Sequence, residues 1–349
     1  MAATYSVGFT GDFTTGENYQ AKYDLSEHVN ILRSKGYEHL LERVIGIMNR
    51  FDSNILNLET PLTPQKASSL SSKKTVLHWA DGDIVPRLLK TLNVEAVSLG
   101  NNHAMDFDKS GLQDTLKYLS DAGIKAFGAG TNLAAAQTPF VKQIQLEDQC
   151  VNLYIIGGFK YRKDYDEDFK FYAESNKAGV FLLTPENATN IISAIKTNDK
   201  NSLVVIFPHF GFDLMKTTQL QIDYAKGFID AGADYVIGHG PHMMNSITKY
   251  KNKTILYGLG NFIFPANFQG KVLPYNMAAE LRLTNNKDII DSKLYLYPLY
   301  MDNQSFTPQT RPVTEDEVPE FLNLLLEGAE DLRNTLTVES FENYIRIGV

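Results

Sequence analysis

Apolar positions along the chain fall into two alternating rhythms. Short, nearly continuous runs read as buried strands: "YSVGFTGD", "SNILNLE", "VEAVSLG", "IKAFGAG", "VNLYIIGGF", "SLVVIFPHFG", "DYVIGHG" and "KTILYGLGNFIF". Between them, "GYEHLLERVIGIMNRF", "DIVPRLLKTLN", "SGLQDTLKYLSDAG", "PENATNIISAIKT" and "QLQIDYAKGFIDAG" carry apolar residues at helical spacing. In the first of these the apolar set is Leu40, Leu41, Val44, Ile45, Ile47 and Met48. Gly123 supplies a C-terminal stop for the third. This order predicts an α/β protein with buried sheets between helical layers. After about residue 275 the rhythm changes. "MAAELRLTNNKDIIDSKLYLYPLYM" alternates like an antiparallel hairpin with "NNKD" at its tip, and "TEDEVPEFLNLLLEGAEDL" predicts a terminal helix whose acidic first turn suits the helix dipole. The segment "RKDYDEDFKFYAESNKAG" has the least pattern and reads as a lid or a solvated loop. No Pro/Gly/Ser-rich linker, repeat or low-complexity tract divides the chain. Residues 1–275 are expected to form one domain, with the strands and helix of 276–349 packed on it.

Composition adds limits. With 349 residues, 43% hydrophobic and 21% charged, the chain can bury a sizeable core. The formal net charge of -8 argues against a nucleic-acid partner. The single cysteine, Cys150, opens an apolar run and reads as a small buried hydrophobe. "MAATYSVGFTGDF" lacks the basic and apolar regions of a secretory signal, and no run approaches the ~18 apolar residues of a membrane span. As the sequence stands, the expectation is a cytoplasmic chain without a membrane segment, or an extracytoplasmic one if a leader or anchor has been removed.

Residues with metal-ligand chemistry gather where the strand-like runs end. Asp12 follows "SVGFTG", Asn57 and Glu59 end "NILNLE", and Asn102 and His103 follow "AVSLGN". His209 follows "VVIFP", and His239 and His242 sit in "VIGHGPH". Strand ends are where layered α/β proteins build their sites. A lone histidine in "FPHFG" is more often structural than a ligand, whereas two histidines three apart around Gly and Pro can aim at one point. Two carboxylates, an amide and three histidines suit a dinuclear site for a borderline metal. His28, His39 and His78 lie in helical or irregular contexts and read as surface or packing residues.

The motifs "GD" at 11–12, "NLETPLT" at 57–63, "NNHAMDFDKSGLQDTL" at 101–116, "PHFGFD" at 208–213 and "GADYVIGHGPHMMNSITKYKNKTILYGLGNFIF" at 232–264 occur in this order. In this the chain resembles the CapA/PgsA-type poly-γ-glutamate (capsule) synthesis proteins, whose domain is similar to the calcineurin-like metallophosphoesterases. The resemblance implies a four-layer αββα sandwich with a C-terminal hairpin and helix appended. It implies one or two divalent ions (Mn, Zn or Fe) on the strand-end loops. Asp12 and His242 would hold the first metal, Glu59 would bridge, and Asn102, His209 and His239 would hold the second, with Asn57 supporting the loop. His103 would face a scissile phosphate. Three departures stand out. Thr14 replaces the histidine of the first motif and would lie beside the ligands. "NLETP" lacks the aspartate that would orient the catalytic histidine, so Asp106 either takes that role or caps the following helix. Gly240 stands where many relatives have a third histidine.

The implied activity is hydrolysis of a phosphate ester by a metal-activated hydroxide, with His103 and Asp106 as the catalytic pair. Two alternatives stay open: an accessory or binding role in polyglutamate or capsule synthesis without turnover, and hydrolysis of an amide such as a γ-glutamyl bond. The partner would be a small anionic or polyglutamate-like substrate. Lys160, Tyr161 and Arg162 offer contacts to such an anion; the competing reading of that run is a solvated surface stretch.

Overall fold

Thr4–Phe13 is buried from its third residue onward and has strands on both sides, as its unbroken apolar and small-residue run demands. The computed structural model describes residues 3–23, 30–266, 273–286, 289–302 and 308–349. Parallel Ser53–Leu58 pairs on one flank of this strand, and the sheet continues through Val94–Ser98 to Lys125–Phe127. Antiparallel Tyr275–Asn286 pairs with Thr4 to Thr10 on the other flank. Where that partner departs, Asn261–Ile263 takes over opposite Asp12 and Phe13. Beyond the hairpin of Tyr275–Asn286 and Ile289–Tyr300 lie Tyr344–Gly348 and the edge strand Thr337–Phe341, in a sheet of ten strands. A second sheet of six strands has Leu203–His209 near its middle, between Gln149–Phe159 and Tyr235–Ile237.

Strand alternation decides where the cores form. Val7, Phe9 and Ile55 of the large sheet share one apolar cluster with Ile155, Val205, Phe207 and Leu256 of the second sheet. Leu56, Leu58 and Val97, on the other face of the large sheet, pack with Met48, Leu88, Leu112 and Leu119 of helical segments. Ile156, Val204 and Ile206, on the other face of the second sheet, pack with Ile192, Ala225 and Phe228. Each such buried side chain contributes about 1.5–3 kcal/mol relative to exposure.

The helices Asp108–Asp121, Pro185–Asn198 and Gln219–Asp230 follow their periodicity, and Gly123 ends the first at φ 70°. Several expectations change. "KTILYGLGNFIF" is two strands in two different sheets, Lys253–Leu256 in the second and Asn261–Ile263 in the large one. "GYEHLLERVIGIMNRF" is broken into a 3₁₀ turn at Glu38–Leu40 and a short helix at Ile45–Met48. The helix Val318–Leu325 is not terminal; the chain ends in the hairpin Thr337–Phe341/Tyr344–Gly348. Cys150 is exposed, because it lies at the solvent end of its strand and points away from the core side taken by Val151 and Leu153. The segment 162–179 is not simply a solvated loop: Tyr165, Phe171 and Tyr172 are buried, with the Tyr165 and Tyr172 rings 5.1 and 6.1 Å from that of Phe159. His28 lies outside the described residues.

Candidate metal centre

The two sheets bring different chemistry to one place. From the large sheet, Asp12 lies in register with Asn57 on one side and Asn261 on the other. From the second sheet, His209 is bridged to His239 across neighbouring strand ends. The loop "HGPH" then carries His242 back toward Asp12. Gly240 and His242 both adopt left-handed backbone, φ 105° and 59°. A Cβ at Gly240 would lie 2.9 Å from Nε2 of His209, so any other residue at this left-handed position would have to displace that ring. A non-glycine residue at φ 59° is a strained conformation of the kind found at sites.

Two overlapping donor groups result. Asp12, His209 and His239 offer ligand atoms all within 4.8 Å of one another, and so do Asp12, Glu59 and His242. Asp12, not Glu59, is common to both. Its Oδ1 accepts from Asn57 Nδ2 at 2.9 Å and lies 3.5 Å from His239 Nδ1; its Oδ2 lies 3.4 Å from His242 Nδ1. Glu59 Oε1 is 3.7 Å from His242 Nε2 and 3.9 Å from His209 Nε2. Asn261 Oδ1 lies 3.0 Å from His242 Nδ1 and accepts from that nitrogen when it carries the proton.

Buried polar atoms without partners test whether a cation fits. Asp12 Oδ2, both carboxyl oxygens of Glu59, Asn102 Oδ1 and His239 Nε2 find no hydrogen-bond partner among the described residues. Buried polar atoms are ordinarily paired, so this concentration of orphans calls for an electropositive group. Charge points the same way. Burial opposes ionisation of Asp12, but His239 and His242 outweigh it and hold the carboxyl well below the usual range. Burial, then adjacent Asp12, pushes Glu59 well above that range. Burial opposes a charged His242, but Glu59 and Asp12 outweigh it and lift the ring to about 10. Glu59 cannot be both a charged partner of His242 and a protonated neighbour of Asp12. We hold to the protonated Glu59, because two touching buried carboxyls do not both ionise without a cation. Burial and His239 keep His209 well below its ordinary value, neutral and suited to ligation. The residues fit a divalent ion.

Beside this centre, His103 and Asp106 are buried and joined, His103 Nδ1 to Asp106 Oδ2 at 2.5 Å. Asp106 therefore does not cap the next helix, which has no side-chain cap. Asn101 fixes the turn: its Oδ1 accepts from the backbone N–H of His103 and Ala104, each at 3.0 Å, and its Nδ2 donates to Asn57 Oδ1 at 2.9 Å. The Thr14 hydroxyl accepts from Gly16 N–H at 3.1 Å. Lys160 is not a surface residue. It is 1% exposed, its Nζ donates to the carbonyls of Phe210 and Gly211, and it stands 3.1 Å from the centre of the Phe212 ring. Burial lowers it to about 7. Arg162 pairs with Asp164 at 2.7 Å, and Tyr161 is exposed.

Sequence reasoning passed over Lys74 and Asn261, and read His78 as a surface or packing residue. His78 is not a surface residue; it is 1% exposed and its ring stacks on His103 with centroids 3.5 Å apart. The only available signal was a Lys and a His in a stretch with no helix or strand rhythm.

A family model described as "Bacterial capsule synthesis protein PGA_cap" matches residues 6–266, about three quarters of the chain. The PGA biosynthesis protein CapA of Bacillus subtilis (strain 168) is 28% identical over 260 residues, 74% of this chain and 63% of that protein. The capsule biosynthesis protein CapA of Bacillus anthracis is 27% identical over 244 residues, 69% and 57% of the two chains. A probable polyglutamine synthesis accessory protein of Mycobacterium tuberculosis (strain ATCC 25618 / H37Rv) is 29% identical over 238 residues, 66% and 60% of the two chains. The matches thus span less than two thirds of these relatives' own length. The extent of the family match, which includes every donor of the candidate centre, shows that the chain belongs to the bacterial capsule synthesis protein (PGA_cap) family.

Proposed function

We propose that the chain is a divalent-metal-dependent hydrolase of the calcineurin-like phosphoesterase type, acting on a phosphate ester. The observation that carries this reading is the pair of buried donor groups sharing Asp12, with unpartnered oxygens on Asp12 and Glu59. The three apolar clusters support a four-layer order of helices, sheet, sheet and helices, with the C-terminal hairpin built into the large sheet beside the first strand. Residues 1–275 and 276–349 then form one packed unit.

Asp12, Glu59, His209, His239 and His242, with Asn102 beside them, would hold one or two ions. When bound, such ions supply Lewis acidity that polarises a phosphoryl oxygen and acidifies water. The chain's own residues do the rest. Asp106 holds the His103 ring by Nδ1, so Nε2 is the atom placed to accept or return a proton. Burial and the Lys74 ammonium keep that ring well below its ordinary value, neutral until an anion arrives. An incoming phosphate next to Nε2 favours the protonated ring, which then donates to the leaving oxygen. Asn57 and Asn101 restrain the ligand loops.

A second reading rests on the relatives. Their names assign them to capsule or polyglutamate biosynthesis, one of them as an accessory protein. In that reading the centre binds a polyglutamate-like anion without turnover, or cleaves a γ-glutamyl amide. Metal analysis of the purified chain and a phosphate-ester assay with added Mn²⁺ and Zn²⁺ separate the readings. Hydrolase action expects bound metal and turnover that falls about 10²–10⁴-fold in His103→Ala with metal retained. Bound metal with no turnover of any phosphate ester moves the assignment to the second reading, and a metal-free protein that takes up neither ion sinks both metal-dependent forms.

A further inference from the structure

We propose that Lys74 and His78, both carried on the irregular segment 64–80, are positioning residues that set the His103 imidazole. The inference rests on the reading of His103 given above and deepens it. The two residues act on His103 from different directions. Lys74 has a side chain only 7% exposed, and its Nζ donates to Asp106 Oδ1 and, at 2.5 Å, to the backbone carbonyl of Asn102. A buried ammonium is tolerated only when paired, and here its partner is the carboxylate that holds His103. Asp106 is therefore fixed by three donors: Lys74 on Oδ1, and His103 Nδ1–H and the His78 backbone N–H, at 2.5 and 2.7 Å, on Oδ2.

That arrangement points to one tautomer. Two lone pairs cannot meet at 2.5 Å, so the contact between Nδ1 and Oδ2 carries a proton, and the Lys74 ammonium on Oδ1 with the His78 N–H on Oδ2 favours the charged carboxylate and the proton on Nδ1. Lys74 Nζ also lies 3.2 Å from Nδ1, but that nitrogen's lone pair is already committed to its own proton. Nε2 of His103 has no hydrogen-bond partner among the described residues, so the ring presents its free lone pair there.

His78 acts on the face of the same ring. The two imidazoles are parallel to within 3°, with centroids 3.5 Å apart. His78 is locked at both nitrogens. Its Nδ1 lies 2.7 Å from the Glu59 carbonyl, so it donates there, and Nε2 accepts from the Tyr19 hydroxyl at 3.1 Å. The Phe264 ring meets His78 edge-on at 5.6 Å and lies 4.8 Å from that of His242. His78 thus ties the His103 ring to the backbone of Glu59, a candidate ligand.

The test reads His103 directly. The full chain, metal-free and Zn²⁺-loaded, is prepared with isotope-labelled histidine as wild type, Lys74→Met, Lys74→Gln, His78→Phe and Asp106→Asn. Nitrogen NMR reports the tautomer of each ring, a thermal melt reports folding, and elemental analysis reports metal. The expected wild-type signal is a single Nδ1–H tautomer for His103, with Asp106→Asn as the broken reference. Lys74→Met and Lys74→Gln should shift His103 toward a tautomer mixture and keep their zinc. If one of the pair fails to fold, the other carries the measurement. His78→Phe keeps a ring on the face but loses both anchors, and should broaden the His103 signal. Where a phosphate ester is turned over, these variants should lower kcat by about 10²-fold with little change in KM. Unchanged His103 signals in both Lys74 variants and His78→Phe would overturn the proposal. Zinc loss without a tautomer change would also overturn it, by assigning the segment to the metal instead. The spectrum needs no substrate, so a protein with no turnover at all contradicts the hydrolase reading and leaves this test intact.

Discussion

Two buried glutamates, one within the ten-stranded sheet and one just past the end of one of its strands, live in opposite circumstances. Glu280, 2% exposed, lies within Tyr275–Asn286 and has every need met. Arg282 donates to both its oxygens, at 2.7 and 3.0 Å, and the Tyr297 hydroxyl donates at 2.7 Å. Glu59, fully buried just past the end of Ser53–Leu58, has neither oxygen hydrogen-bonded and faces another carboxyl. Both are acidic residues inside a core, so residue type and burial do not tell them apart. The satisfied glutamate strengthens the sheet; the unsatisfied one sits among imidazoles, in a donor group that could hold a cation.

The sharpest way to break this contrast is to neutralise Glu59. Glu59→Gln should lower metal affinity by at least ~10²-fold, since a ligand loss exceeds the ~10–100-fold typical of a ligand's supporting partner. The metal-free thermal stability should not fall, because no hydrogen bond is lost. Two metals retained at full affinity in this variant would show that Glu59 is not a ligand. The mirror experiment is Glu280→Gln, which should leave metal content untouched and destabilise the chain by about 1–3 kcal/mol. That range is scaled down from the ~3–5 kcal/mol of a broken buried pair because the Arg282 side chain is 28% exposed. A denaturant titration reads it, and a metal defect in this variant would erase the distinction.

Acid sharpens the contrast further. Glu59, held above its usual range, carries a proton in the metal-free chain. Binding a cation must expel it, so metal uptake should tighten as pH rises and release protons on loading. Calorimetry in buffers of different ionisation enthalpy measures that release, and a loading heat independent of buffer would contradict it. The smallest effect belongs to a paired carboxylate near the surface. Arg311 beside Glu317 holds that carboxyl down to about 2, against an ordinary 4.5. A lowered folded value means stability that is present above about pH 4.5 and lost as pH falls toward 2. With both side chains nearly a fifth exposed, it amounts to less than ~1 kcal/mol. Glu317→Gln should flatten that part of the acid titration and change nothing about metal.

Much of the fold was readable because burial and periodicity go together. Leu203–His209 and Pro185–Asn198 each carry one continuous pattern, and each became one element. "KTILYGLGNFIF" shows where that stops. Its two halves are equally apolar, and nothing local says that the first pairs with Tyr235–Ile237 and the second with Thr4–Phe13. The C-terminal edge strand Thr337–Phe341 is exposed throughout, so it has no apolar face to announce it. Cys150 failed for the opposite reason: an apolar run begins beside it, but strand alternation points it outward.

The candidate site divides in the same way. Asp12, Glu59, His209, His239 and His242 were visible as polar residues ending strands, a position where the backbone pattern itself implies convergence. Lys74 and His78 sit in a segment without rhythm, where sequence contains no information about direction, and only packing against Asp106 and His103 gives them a place. By itself the sequence determined which residues can ligate a metal and on which strand ends they stand, because those follow from residue chemistry and a local period. The tertiary structure alone decided that Asp12 is the shared donor, that Asp106 holds His103 and that Lys160 is buried. Those outcomes depend on which sheets meet and on which polar atoms find a partner after they do.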